Sequence, residues 1–174
     1  MCTSYKVVIG NDLAKIKTER AACLPYIVKN GMLFFLFAID KNSGDITDMG
    51  GGVKKDEFAL SAGIRELKEE SGDVFGSLNS RMNEMSSFVG ALGQNGKMST
   101  LFIPMHDEWY AKIDYIEKPS SEIEKMIWIN EFELKGLLAV SDKRMWIRVK
   151  KFYRPIMTDN FKNLLKKVYV TKKL

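Results

Sequence analysis

One histidine, two cysteines and no apolar run long enough to cross a bilayer are what this 174-residue chain has least of, and each scarcity removes a class of protein. His106, alone, cannot build a histidine-based metal cluster, and between its acidic neighbours Asp107 and Glu108 it reads as a surface residue. Cys2 and Cys23 have no His or Cys cluster around either, which favours two reduced thiols in an intracellular protein over a zinc site or a disulfide framework. The apolar stretch 32–39 is far too short to span a membrane and reads as a buried strand. The N-terminus lacks a basic segment followed by an apolar run, so the expectation is a cytoplasmic protein that is neither secreted nor a membrane partner. Internal repeats, linkers and low-complexity segments are also missing.

What is present fits one ordinary globular domain over 1–174, with 45% hydrophobic and 28% charged residues. The charge is uneven. Residues 143–174 hold eleven Lys or Arg against the single acid Asp159, while the whole chain carries only +5, so the remainder is acidic. A basic helical C-terminal region, 141–174, therefore follows an acidic body.

Strand patterns are expected at 5–9, 22–28 and 32–39, the last two joined by Lys29-Asn30-Gly31, where Asn-Gly accepts the positive φ of a tight hairpin turn. A short strand at 46–49 delivers the chain to three glycines. Further strands are expected at 88–92 and 98–105 around Gln94-Asn95-Gly96, and at 122–129. Helical spacing marks 107–116, 131–140 and two C-terminal helices, which Ser141 and Thr158 are placed to cap. Strands alternating with helices in this order predict an α/β fold with a mixed sheet between helices.

The most informative stretch is 51–74. It runs Gly51-Gly52-Val53-Lys54-Lys55-Asp56-Glu57, a seven-residue spacer, then Arg65-Glu66-Leu67-Lys68-Glu69-Glu70-Ser71-Gly72. Leu60, Ile64 and Leu67 recur at helical spacing, with Asp56 as the expected N-cap and Gly72 just past the C-terminus, giving a helix of about four turns. Glu66, Glu69 and Glu70 then share roughly a third of the helix circumference beside the apolar stripe. Carboxylates three and four apart repel unless a cation lies between them, and hard oxygen donors suit Mg²⁺ or Mn²⁺. Gly50, Gly51 and Gly52 leave main-chain groups open to a phosphate or a metal at the helix entrance.

This order of glycine, glutamate, arginine-glutamate-leucine, paired glutamates and glycine, the box of residues 51–74, resembles the signature of the Nudix hydrolases, with one departure: Asp73 stands where the family pattern has an aliphatic residue. The resemblance implies a Nudix-type α/β/α sandwich and a divalent-metal-dependent hydrolase of diphosphate bonds. It implies that Glu66 is a metal ligand or the base, that Glu69 and Glu70 are metal ligands, that Glu57 pairs with Arg65, and that the carbonyl of Gly50 completes a metal shell. It further implies a catalytic carboxylate from a later loop, for which Glu122 is first choice, ahead of Glu124 and Glu108.

The resemblance points to a nucleoside diphosphate-type small molecule as substrate: a nucleoside triphosphate, a dinucleoside polyphosphate or a nucleotide sugar. A second reading is hydrolysis of an RNA 5′ cap or 5′ end, with RNA held by Arg144, Arg148, Lys150, Lys151, Arg154, Lys166 and Lys167 and a base stacked on Trp146 or Tyr153. A third is a non-catalytic nucleotide-binding module, which retention of Glu57, Glu66, Glu69 and Glu70 disfavours. Trp109, Tyr110, Arg144 and Lys150 are the candidates for substrate contact, and packing is the competing role for each aromatic.

Overall fold

The computed structural model describes residues 5–76, 78–93 and 95–174. Cys2 and the Gln94 position of the second expected hairpin lie outside them. The strands are β1 (Tyr5–Ile9), β2 (Arg20–Lys29), β3 (Met32–Asp40), β4 (Ile46–Thr47), β5 (Gly50–Gly52), β6 (Val89–Gly93), β7 (Met98–Pro104) and β8 (Ile123–Asn130). They form one sheet ordered β1-β6-β7-β2-β3-β4, with β5 added to β2 and β8 to β3. The pair β2–β7 is parallel, from Arg20 opposite Met98 to Tyr26 opposite Pro104, whereas β2–β3 and β3–β8 are antiparallel, so the sheet is mixed as expected. Asn30 and Gly31 take φ values of 53° and 75° at the β2–β3 turn, the conformation that Asn-Gly accepts.

The helices are α1 (Gly10–Leu13), α2 (Ala59–Glu70), α3 (Met82–Met85), α4 (Trp109–Lys112), α5 (Glu131–Leu137), α6 (Ile147–Ile156) and α7 (Asp159–Lys172). Side chains alternate across β2, and the helices divide accordingly. A methyl group on Gly63 of α2 would sit 3.1 Å from the Cys23 sulfur, so α2 packs closely on that face. On the other face the Tyr26 hydroxyl donates to the Leu165 carbonyl of α7 at 2.9 Å, and Phe102 meets Phe161 edge-on at 5.1 Å. Helices on both faces make the α/β/α arrangement. Cys23 is fully buried and unpaired, and burial pushes its thiol pKa up, which leaves it inert. Among the described residues no helix is long and apolar enough to cross a membrane.

Three local expectations are corrected. The box helix begins at Ala59, not beside Asp56, which is exposed in the preceding turn. Ser61 Oγ takes the capping role instead, accepting from the Phe58 amide at 3.3 Å and donating to the Phe58 carbonyl at 3.1 Å. The glycines after β4 form a strand of their own, β5, antiparallel to β2. Ser141 caps nothing: α6 starts six residues later, because the preceding segment zips along β4 through Ile46 N to Arg144 O and Trp146 N to Ile46 O, each 2.9 Å. Thr158 does cap α7, accepting from the Phe161 amide at 3.2 Å.

The end of α2 explains how Asp73 is accommodated. Gly72 and Asp73 are both left-handed, at φ 68° and 59°, and the Asp73 amide closes on the Lys68 carbonyl at 2.8 Å. Aspartate tolerates that conformation better than an aliphatic residue would, while Val74 and Phe75 behind it still pack against the core. Gly72 has no such latitude, because a side chain there would run into the Pro119 carbonyl.

Candidate active site

Arg65 lies a turn and a half into α2, one turn before Glu69, and this brings the two ends of the box together. Its guanidinium donates through Nε to Glu57 Oε2 at 2.7 Å and through Nη2 to Glu57 Oε1 at 2.9 Å, a forked pair. Nη2 also reaches the Gly52 carbonyl at 2.9 Å, and Nη1 reaches Glu66 at 2.9 Å and Glu69 at 3.4 Å. The Lys54 amide adds a 2.9 Å bond to Glu57 Oε1. One arginine thus ties the glycine strand, the loop and two box carboxylates into a unit. The Arg65 hydrogen bonds, chiefly, hold the Glu57 pKa down at about 2. A carboxylate so depressed adds stability that is full above its ordinary range and is lost as pH falls toward 2. Glu57→Gln should therefore remove part of the acid-side stability slope of the protein, measured by thermal melts between about pH 5 and pH 2.

Glu70 has the opposite environment. It ends α2 with only 8% of its surface exposed, and burial first, then the charges of Glu66, Asp48 and Glu122, push its pKa up to about 9. Glu66 lies against β5: a methyl group on Gly51 would overlap its carboxyl. Gly51→Ala is expected to displace that carboxyl and cut turnover by about tenfold or more while the melting temperature changes little, since a misplaced group in an otherwise intact site costs rate before it costs fold. A matched loss of activity and of folded protein would contradict this.

Glu70 opens into a cleft of about 530 Å³ that is also lined by Gly50, Gly51, Gly52, Glu122, Asp40, Asp45, Asp48, Arg20, Trp146 and Arg148, with Arg20 bonded directly to Asp48. Of the three late-loop acids, Glu122 lines it. Glu108 is paired instead with Lys112 at 3.0 Å, and Glu124 stands exposed on β8. Glu69 lies on the solvent side of α2, its side chain 56% exposed.

The substrate-contact candidates are dispersed. Trp109 packs on Phe75 with ring centres 4.9 Å apart, and Tyr110 meets Phe34 at 5.2 Å beside a small hollow of about 160 Å³ that contains no box residue. Arg144 forks onto Asp142 at 2.7 Å. Lys150 is buried, its ammonium donating to the Asp142 carbonyl, so it does not reach the cleft. Tyr153 is fully buried and Lys166 is paired with Glu131 at 3.1 Å, so neither is free for a nucleic-acid strand. Among the basic residues named for RNA, Arg148 is the one that lines the cleft.

Sequence reasoning passed over Asp48 and Arg20. Asp48 is 1% exposed; it accepts from Arg20 Nη2 at 2.6 Å and from the Tyr153 hydroxyl at 2.7 Å, and Tyr153 also meets Thr100 at 2.9 Å. The one available signal was an aspartate in an otherwise strand-like approach to the glycines.

Hard oxygen donors crowded together, with Glu70 pushed toward its neutral form first by burial and then by its acidic neighbours, fit a divalent cation. Among the described residues, however, no three acidic or thiol groups stand already drawn together as a metal cage. Arg65 holds one oxygen each of Glu66 and Glu69, and leaves the second oxygen of each carboxylate unengaged by it.

No family model and no curated protein matches the chain. Solved structures do, among them a C. elegans Ap4A hydrolase in a binary complex (16% identical, covering 88% of this chain and 96% of that one, TM-score 0.41), a NUDIX-family hydrolase from Clostridium perfringens (14%, 87% and 98%, 0.44), and the Nudix hydrolase RenU from M. Smegmatis (11%, 91% and 91%, 0.45). At such identities and superpositions these likenesses carry no argument about the chemistry of this chain.

Proposed function

We propose that this protein is a Nudix hydrolase that cleaves a diphosphate bond in a small nucleoside diphosphate derivative, using Mg²⁺ or Mn²⁺. The observation that carries the reading is the cleft in which Glu70 and Glu122 meet beside the glycine strand, with Glu66 against Gly51 and Arg65 locking the box. Glu66, Glu69, Glu70 and the Gly50 carbonyl would hold the cation. When bound, it would neutralise charge developing on the phosphoryl oxygens and make a water molecule acidic enough to attack near neutral pH.

The chain's own residues supply the rest. Glu57 and Arg65 fix the register of loop and helix, so the carboxylates stay in place as charge changes. Glu122, which lines the same cleft, would orient the attacking water and accept its proton. The small-molecule reading is preferred to RNA because Lys150, Lys166 and Tyr153 are engaged elsewhere. A panel of nucleoside triphosphates, dinucleoside polyphosphates, nucleotide sugars and capped RNA, each with Mg²⁺ and Mn²⁺ and scored by product mass, tests this. Cleavage of at least one small diphosphate between its phosphorus atoms is the expected result. Cleavage of capped RNA alone, falling steeply with added salt, would replace the small-molecule substrate with RNA.

A further inference from the structure

The same cleft holds a buried arginine that the box does not account for. Arg20 is 7% exposed at the start of β2, yet it lines the cleft. Nη2 is spent on Asp48 at 2.6 Å, and Trp146 lies over the guanidinium with its ring centre 5.4 Å from Cζ. Nη1 lies beside Gly50, where a methyl group would stand 3.1 Å from it, and makes no ion pair of its own with the described residues, so this edge of the fork is not spent on Asp48. Asp48 is fixed in turn by Tyr153, so the guanidinium is held on one edge and one face. A buried arginine with donors left over and its plane fixed in advance is built to receive an oxyanion. Arg148, exposed at the rim and only loosely paired with Glu19 at 3.8 Å, extends the positive wall outward.

We propose that Arg20 and Arg148 form a phosphate clamp that takes the phosphate oxygens turned away from the box carboxylates, with Arg20 as the inner, orienting contact and Arg148 as the rim contact. This deepens the proposed diphosphate hydrolysis and rests on it. The substrate then meets the carboxylates of Glu70 and Glu122 and the guanidinium groups of Arg20 and Arg148, all of which line the cleft. Both phosphates of the reacting pair are engaged, so a ligand with a single phosphate binds much less well than a diphosphate.

The test is calorimetric titration of methylenediphosphonate, a non-hydrolysable diphosphate, in the presence of Mg²⁺ into the wild-type protein, Arg20→Lys and Arg148→Ala. Thermal melts confirm folding, and a separate titration measures Mg²⁺ binding. Lysine keeps the charge of Arg20 but not its fork, so Arg20→Lys should weaken diphosphonate binding by about tenfold or more, and Arg148→Ala by about threefold, with Mg²⁺ affinity unchanged. Arg148 is exposed, so its variant keeps the clamp testable even if Arg20→Lys folds poorly. Wild-type affinity for the diphosphonate in either folded variant overturns the clamp and leaves the hydrolase reading standing. No binding by the wild-type protein with Mg²⁺ or Mn²⁺ overturns both.

Discussion

Glu70→Gln should lose turnover by about two to four orders of magnitude and at the same time make the metal-free protein more stable at alkaline pH. The two effects have one cause. Glu70 is buried beside Glu66, Asp48 and Glu122, so ionising it without a cation is unfavourable, and its pKa stands at about 9 against an ordinary 4.5. A carboxylate raised in this way leaves stability intact below its ordinary pKa and subtracts from it as pH climbs toward 9. In chelator, wild-type melting temperature should therefore fall between about pH 5 and pH 9 more steeply than that of Glu70→Gln, which has nothing to ionise. Mg²⁺ should remove the difference by stabilising the wild type alone. If Glu70→Gln kept near wild-type rate, Glu70 would not be a metal ligand.

Asp48→Ala should be the most destabilising single change near the site, by about 3–5 kcal/mol, because it strands two buried partners at once. Arg20 would lose the one ion pair it makes among the described residues, and the fully buried Tyr153 one of its two hydroxyl contacts. Asp48→Asn should cost less, since an amide oxygen still accepts one of these bonds. Chemical denaturation with both variants measures the difference. Equal stability of Asp48→Ala and wild type would mean that the Arg20–Asp48–Tyr153 network does not hold the cleft wall.

The sequence made the box helix, the Asn-Gly hairpin and the alternation of strands and helices readable because each is written within a few neighbouring residues: apolar spacing on α2, positive φ at Asn30 and Gly31, Thr158 ahead of Phe161. The pairing of Glu57 with Arg65, eight residues on, came from the resemblance and not from a local pattern, and the two side chains do meet. Contacts between distant segments were not readable. Asp48 finds Arg20 28 positions back and Tyr153 105 positions ahead, and no local pattern announces either. For a related reason, the directions taken by the basic side chains were unreadable in the C-terminal region. Its charge count is correct, but charge says nothing of direction, and Lys150 turns inward to a carbonyl while Arg148, two residues earlier, faces the cleft. The misplaced start of α6 has the same origin, since pairing of residues 144–146 with β4 overrides the capping preference of Ser141 and carries Trp146 to the site.

Hydrolysis of the best substrate from the nucleotide panel in heavy-oxygen water, with and without Mg²⁺, tests the central claim most directly. One heavy oxygen per turnover should appear on phosphorus in a phosphate-terminated product, and the reaction should stop when the metal is chelated. Heavy oxygen on a sugar or base carbon, or an unchanged rate in chelator, would contradict metal-assisted cleavage of a diphosphate by this cleft.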